Sequence, residues 1–519
     1  HTEGINSPRP ASQRAAAFIL TAAMLTTLAA PAFADIWHIE NGDITISAGE
    51  SGNNVTQNNN TTYGDTNTII TNQNKDTASS HTVTIEAKDK DDKVEVTLKD
   101  VNIDTSSRNK AAVSVTGEGD TNIKLDGDNA LKSDIYRSGI YGSGSLTISG
   151  GENDSLTAQG GSGANGISSS GSLTISGGTV TANGDDGGRG ISSSGSVTIS
   201  GGSTVTANGG SGTISGGDGI WSGGGVTISG GSTVTANGGN GGSLVGGDGI
   251  RSGGGLTVSD GTVTAKGGNG DSKDGYGGDG IRSGGVVTIS GNTVNAAGGY
   301  GGKVGGYGIC SFDRVAISGG TVEAAGGNGS TGGGSGIYSS VIDLSGSLEL
   351  TAKAGSPNGK ALSQKGSELV LDTIKDKLGP GAKVTATDAD GKVIDQVSTP
   401  RPVEPEESSS SSDGGSAAPS APASPLPGLT VTDKDGQRIS YTSTQSGNTL
   451  TVCVGRLTAS FRISLAALRQ LRAEGIETIT FQTILCSTTL SVDELLAMGG
   501  EDAEAVLTHR FTDSSLTVG

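Results

Sequence analysis

Gly216–Lys266 reads GGDGIWSGGGVTISGGSTVTANGGNGGSLVGGDGIRSGGGLTVSDGTVTAK. One unit is written there nearly twice: Gly-Gly-Asp-Gly-Ile, then an apolar-Thr-apolar triplet, then Thr-Val-Thr-Ala. Outward from it, a Gly-Ile pair recurs with Ile at 140, 167, 191, 220, 250, 281, 309 and 337. A second apolar position follows at Ile148, Ile175, Ile199, Ile228, Val258, Ile289 and Ile317, eight residues after its partner every time. A third, at Val180, Val205, Val234, Val263, Val294 and Val322, sits five or six residues further on. The slack collects in the Gly/Asn-rich stretch before the next Gly-Ile, such as 238–247.

Val, Ile and Thr with period two mean strands. Three short strands at fixed separations make one coil of a parallel β-helix, each coil pairing with the next at about 4.8 Å. Equivalent Ile and Val stack inward, and the variable stretch maps to a single corner loop. Gly177-Gly178, Gly201-Gly202 and Gly230-Gly231 follow Ile-Ser and supply positive φ at corners.

Composition agrees with repeats that each bury little and stack to bury more. The 519 residues include 92 Gly but only 12 Pro, 2 Trp, 8 Tyr and 6 Phe. Gly lacks the three-residue period of collagen. The net charge of −19 disfavours nucleic acid, whose phosphates need a basic surface.

Residues 1–34 read as a secretion signal: Arg9 and Arg14, an apolar stretch Ala15–Ala30, and Ala-Phe-Ala ending at Ala34. Cleavage is expected between Ala34 and Asp35, leaving no membrane span and placing the mature chain outside the cell or on its surface. Residues 35–138 are the N-terminal β-rich part of the β-helix, with runs at 43–47, 81–86, 94–98, 101–103, 112–115 and 122–125 and an Asn/Thr-rich loop near 53–62. Residues 139–357 are the Gly-rich coils and 358–398 an end cap, since a bare strand edge invites aggregation. Residues 399–428 are a Pro/Ser-rich disordered linker, and 429–519 a small α/β domain. In that domain strands are expected at 450–454 and 478–481. A helix capped by Ser464 and Gly475 lies between them, and a second starts at a Ser491/Glu494 capping box.

The run Val94-Glu-Val-Thr-Leu-Lys-Asp-Val-Asn-Ile-Asp-Thr105, then Ala111-Ala-Val-Ser-Val115 and Asn122-Ile-Lys-Leu-Asp-Gly-Asp-Asn-Ala-Leu-Lys132, leads into the Gly-Ile coils. Together these resemble secreted bacterial proteins with a carbohydrate-binding β-helix domain, over about residues 35–397. The resemblance implies a right-handed parallel β-helix, Ca²⁺ sites, and adhesion to acidic plant polysaccharide or cellulose. It assigns no binding residue position by position.

Three sets of residues are candidates for chemistry. Asp218, Asp248 and Asp279 each precede a Gly-Ile and stack in register. Adjacent carboxylates repel unless a cation or Arg lies between them, so Ca²⁺ is one reading and solvated turn Asp the other. Trp221, Arg251 and Arg282 follow the inward Ile and face outward on consecutive coils. They suit a sugar ring and uronate carboxylates, or else Arg pairs with the Asp ladder and Trp is covered. Cys453 and Cys486 lie on neighbouring expected strands, as a disulfide or as two thiols. A pectin hydrolase needs clustered carboxylates with His nearby, and none of His1, His38, His81 and His509 falls in the coils. The expectation is therefore a non-catalytic polysaccharide-binding or adhesin-like surface protein. A structural stalk or protein-binding adhesin is the main competitor, and a Ca²⁺-dependent polysaccharide lyase the enzymatic one.

Overall fold

A computed structural model describes residues 35–400 and most of 428–518. The signal segment with Ala34, the linker from 401 to 427, and Cys486 lie outside the described residues. The chain divides into two compact units, one on each side of the Pro/Ser-rich segment. Among the described residues no helix is long and apolar enough to cross a membrane.

The first unit is a parallel β-solenoid. Its first strand stack runs Ile140↔Ile167↔Ile191↔Ile220↔Ile250↔Ile281↔Ile309↔Ile337 in unbroken parallel register. The second holds Ile148, Ile175, Ile199, Ile228, Val258, Ile289 and Ile317 in line. The third aligns Val180, Val205, Val234, Val263, Val294 and Val322. These side chains are sealed from solvent in one continuous core. Burial of a Val or Ile contributes roughly 1.5–3 kcal/mol. A strand of three residues is therefore worth forming only because its neighbours stack on it. The corner glycines have positive φ as expected, from +62° at Gly230 to +84° at Gly177.

One feature departs from the sequence expectation at the start of the solenoid, the segment near 53–62. The first stack continues back from Ile140 through Val113 and Val83 to Ile44. Gly-Ile spacing misses those rungs because Val113, Val83 and Ile44 are preceded by Ala, Thr and Asp. The Asn/Thr-rich segment near 53–62 is not a loop. It is an antiparallel hairpin of Gly52–Gln57 and Asn60–Asp65, folded back from Ile44–Gly49. Its turn, Asn58-Asn59, has φ of 53° and 62°, which Asn tolerates better than most residues. The hairpin covers the open edge of the first stack.

The larger correction concerns the variable Gly/Asn-rich stretch. It is no slack loop. In each coil it runs out and back as two limbs, and limbs of successive coils hydrogen-bond alternately. The Gly217 N–H donates to Gly210 O, Gly239 to Gly217, Gly247 to Gly239, Gly268 to Gly247 and Gly278 to Gly268, at 2.8–2.9 Å. The backbones approach so closely that a Cβ on Gly247 would sit 1.9 Å from Gly217 O, and one on Gly268 2.0 Å from Gly239 O. Only Gly fits, and the composition follows from this.

Two residues after the inward Ile, a buried serine ladder ties the coils together. Ser222, Ser252 and Ser283 donate to Gly195 O, Gly224 O and Gly254 O at 2.8–3.0 Å. Ser252→Ala should lower stability by about 1 kcal/mol, read as a shifted urea midpoint. An unchanged midpoint would remove the ladder from the energetics.

At the far end, Ile337–Lys353 is one 17-residue strand contributing to all three stacks. Lys383–Thr387 pairs beyond it, and Val393–Ser398 returns antiparallel. The 3-10 turns of Leu371–Lys377 bury Leu371 and Ile374 against the core. These elements lie over the last strand of the stacks.

Among its described residues the second unit holds two four-stranded sheets and two helices. Helix α1 (Leu465–Ala473) starts where Ser464 Oγ accepts the Ala467 N–H and is followed by Gly475 at φ +92°. Helix α2 (Val492–Ala497) starts at Ser491, as its capping box requires. Strands 449–453 and 478–482 pair in parallel across α1. The buried Phe461 and Phe481 rings lie 4.9 Å apart, tilted by 43°, with His509 edge-on to Phe461 at 5.5 Å. Burial lowers the pKa of His509, a neutral core group here.

Candidate functional site

The position after each inward Ile faces outward, and the register places Trp221, Arg251 and Arg282 on three consecutive coils. Sequence spacing found these three. It missed Arg189, which lies two residues before Ile191 and folds over the next coil. The Arg189 guanidinium covers the Trp221 ring at 4.3 Å from its centroid. Its Nε donates to Asp218 Oδ2 at 3.3 Å. Arg282 is held the same way: Nη1 donates to Asp279 Oδ2 at 3.4 Å, and the guanidinium lies 5.2 Å from the Phe312 centroid. Arg251 differs. It is exposed, and no ion pair or hydrogen bond holds its guanidinium among the described residues. Beyond Arg282 the ladder continues to buried Cys310 and to Tyr338, which stacks on Tyr307 at 4.9 Å. Burial pushes the Cys310 thiol up to about 12, so it supplies no thiolate.

Asp218, Asp248 and Asp279 are not solvated turn residues. They are 7%, 6% and 4% exposed and form a ladder behind the arginines. Each accepts the next coil's backbone N–H on Oδ1. Asp248 N–H donates to Asp218, Asp279 N–H to Asp248 and Tyr307 N–H to Asp279, at 2.7–2.8 Å. Asn165 does the same for the Arg189 N–H at 2.8 Å, so the ladder needs an acceptor rather than a charge. Burial, then the neighbouring Asp279 and Asp218 carboxylates, push Asp248 well above the ordinary carboxyl range. Burial raises Asp279 to about 6, against the pull of the Tyr307 N–H, Arg282 and Arg251.

Ca²⁺ takes six to eight oxygens. In the ladder, three Oδ1 atoms are committed to backbone N–H groups, and Asp218 and Asp279 give Oδ2 to arginines. The donor set fits a calcium cage poorly, and no group of three or more His, Cys, Asp or Glu poised for a metal occurs among the described residues. Asp185, which ends the strand Thr179–Asp185, and Asp186, in the turn after it, are exposed. Cys453 Sγ lies 3.5 Å from Gln482 Oε1; its pairing with Cys486 falls outside the described residues.

A second charged cluster lies on the N-terminal coils. Asp43 accepts Arg108 at 2.7 and 3.2 Å, Lys110 at 3.1 Å and the Thr82 N–H at 2.9 Å, with His81 Nδ1 at 3.2 Å. Although partial burial opposes it, these donors hold Asp43 well below the usual carboxylate range. The cluster ties together residues of three coils. Comparison with known proteins matches no family model, no curated protein and no solved structure.

Proposed function

We propose that this chain is an exported, non-catalytic protein that binds acidic or plant polysaccharide along the outer face of its first strand stack. The observation that carries the reading is the register Trp221↔Arg251↔Arg282. It repeats an indole and two guanidiniums at the coil spacing of about 4.8 Å on a rigid support. Guanidiniums recognise carboxylates through paired N–H groups. Weak contacts repeated along one face add up as avidity without a deep pocket.

The test is affinity electrophoresis of the mature chain through gels containing polygalacturonate or a soluble cellulose derivative, with Ca²⁺ or EDTA. Retardation is expected, and Trp221→Ala with Arg251→Ala should weaken it at least tenfold. Free migration of the wild type in every gel would remove the proposal. Retardation lost in EDTA would assign Ca²⁺ a part despite the poor donor set. Unsaturated uronate products would replace binding with lyase activity.

One observation favours a second reading, a stalk or protein-binding adhesin. The crest of the glycine limbs exposes Ile214 (60%), Leu244 (55%) and Tyr276 (45%) on successive coils. Contiguous exposed apolar side chains mark interaction surfaces. Adherence to a protein-coated surface that is lost in Leu244→Asp with Tyr276→Asp, and unaffected by Arg251→Ala, would favour it.

A further inference from the structure

We infer that this face selects anionic over neutral polysaccharide, and that Arg189 sets the selection by covering the Trp221 indole. The inference rests on the proposed glycan reading and narrows it to a substrate class. Neutral sugars bind aromatic side chains by laying the C–H face of the ring on an open π-face. Trp221, the aromatic that lies between the arginines, does not offer itself freely. Arg189 lies 4.3 Å over Trp221, and Arg282 lies 5.2 Å from Phe312. Along the ladder, the next side chain after Trp221 is Arg251. The indole is thus bracketed by cations from the coils before and after it.

What the face does offer is guanidinium. Arg189 is fixed by Asp218 Oδ2 at 3.3 Å, by Ser192 Oγ at 3.4 Å and by the indole beneath it. Arg282 is fixed by Asp279. Their remaining N–H groups are pre-oriented, which lowers the ordering cost of binding. Arg251 is exposed between their coils. The chain carries a net charge of −19, so an anionic polymer is repelled from it on average. A local run of three arginines is the device that an anionic ligand requires and a neutral one does not.

The ligand class is therefore a polyuronate, whose carboxylates pair with guanidinium in two parallel N–H···O bonds. Arg189 acts as a positioning and specificity residue: it contributes charge and denies the indole to neutral rings.

The experiment compares retardation of the mature chain by polygalacturonate and by hydroxyethyl cellulose. The wild type should be retarded by the first alone, with the effect falling as salt rises. Arg189→Ala with Asp218→Asn removes the cap and leaves neither a buried unpaired charge nor an unmet Asp248 N–H. It should lose polyuronate affinity about tenfold and gain retardation by hydroxyethyl cellulose. Adding Trp221→Ala should abolish that gain. The gain is the decisive readout, because a purely structural role for Arg189 gives only losses. If the double variant does not fold, Arg189→Lys keeps the charge without a planar cap. It should then show the neutral-glucan gain with polyuronate binding retained. Wild-type binding to both polymers alike, or a variant of unchanged selectivity, would overturn the inference and leave the glycan reading standing. Binding to neither polymer would remove the reading itself.

Discussion

Gly247→Val is expected to unfold the coils around it or to lower stability by about 4 kcal/mol or more, the range of the most damaging single substitutions. The cause is backbone against backbone. A Cβ at 247 would lie 1.9 Å from Gly217 O and 2.4 Å from Gly217 C, and neither atom can rotate away. The Gly247 N–H also donates to Gly239 O at 2.8 Å, so moving limb 247 breaks the alternation on both sides. Two controls separate close approach from other costs of losing Gly. Gly231→Ala has open space but φ +72°, and should cost about 1–2 kcal/mol of left-handed strain. At Gly332 a Cβ meets only Val304 methyls at 3.8–3.9 Å, and Gly332→Ala should stay within about 0.5 kcal/mol. Urea midpoints, read with limited proteolysis because repeat arrays can fray locally, should rank Gly247→Val, Gly231→Ala and Gly332→Ala in that order. Equal effects at all three would overturn the packing account.

That ordering also marks where the sequence was legible. The inward ladders could be read because a β-strand forces period two and stacking forces like over like. Ile140 through Ile309 needed only a constant eight-residue offset to their partners. The limbs could not be read, because Gly carries no side-chain pattern; variable length there looked like slack. The Gly-Gly-x-Gly on both sides of each insertion from 209 to 336 was the available signal, since two glycines in register let two backbones touch. The site divides likewise. Trp221, Arg251 and Arg282 follow directly from alternation after the inward Ile. Arg189 reaches its partner ring across a coil boundary, and its position before Ile191 matches Asp218 before Ile220, not Trp221. The shared offset would have shown that Arg189 belongs to the buried ladder's column, next to Asn165. It would not have shown that the side chain leaves that column to cover the indole. The burial of Asp218, Asp248 and Asp279 was hidden for the same reason as the limbs: flanking Gly reads as an open turn until the limb on the other side is in place.

Asp248→Asn should stabilise the protein at pH 8 by about 1–3 kcal/mol and leave it nearly unchanged at pH 4.5. Asn keeps an Oδ1 acceptor for the Asp279 N–H, as Asn165 already does for the Arg189 N–H. It removes the central charge of three stacked, buried carboxyls. The wild type should show the same effect as a pH profile. The carboxyls of Asp248 and Asp279 hold protons more tightly folded than unfolded. Their contribution is therefore fully present below the unfolded value near 3.8 and is lost as pH rises through the folded one. For Asp279, a rise from 3.8 to about 6 corresponds to about 3 kcal/mol lost between pH 4 and pH 8. Asp43 and Asp104 act oppositely. Partial burial would raise them, but Arg108 and Lys110 on the first, and Ser106 and Lys132 on the second, hold both below the ordinary value. Their contribution is lost as pH falls below about 4. The two slopes together put maximum stability near pH 4–5, below the usual neutral range. Thermal midpoints from pH 3 to 9 measure this. A wild-type midpoint flat from pH 4.5 to 8, or an Asp248→Asn variant weakened equally at both ends, would mean that the arginines neutralise the ladder completely. Calcium enters the same experiment. If 1 mM Ca²⁺ raises the wild-type midpoint at pH 8 and not the variant's, a cation relieves the repulsion between the carboxyls. If it raises neither, the relief comes from Arg189, Arg251 and Arg282, whose place on the ligand face would then be fixed by the ladder they neutralise.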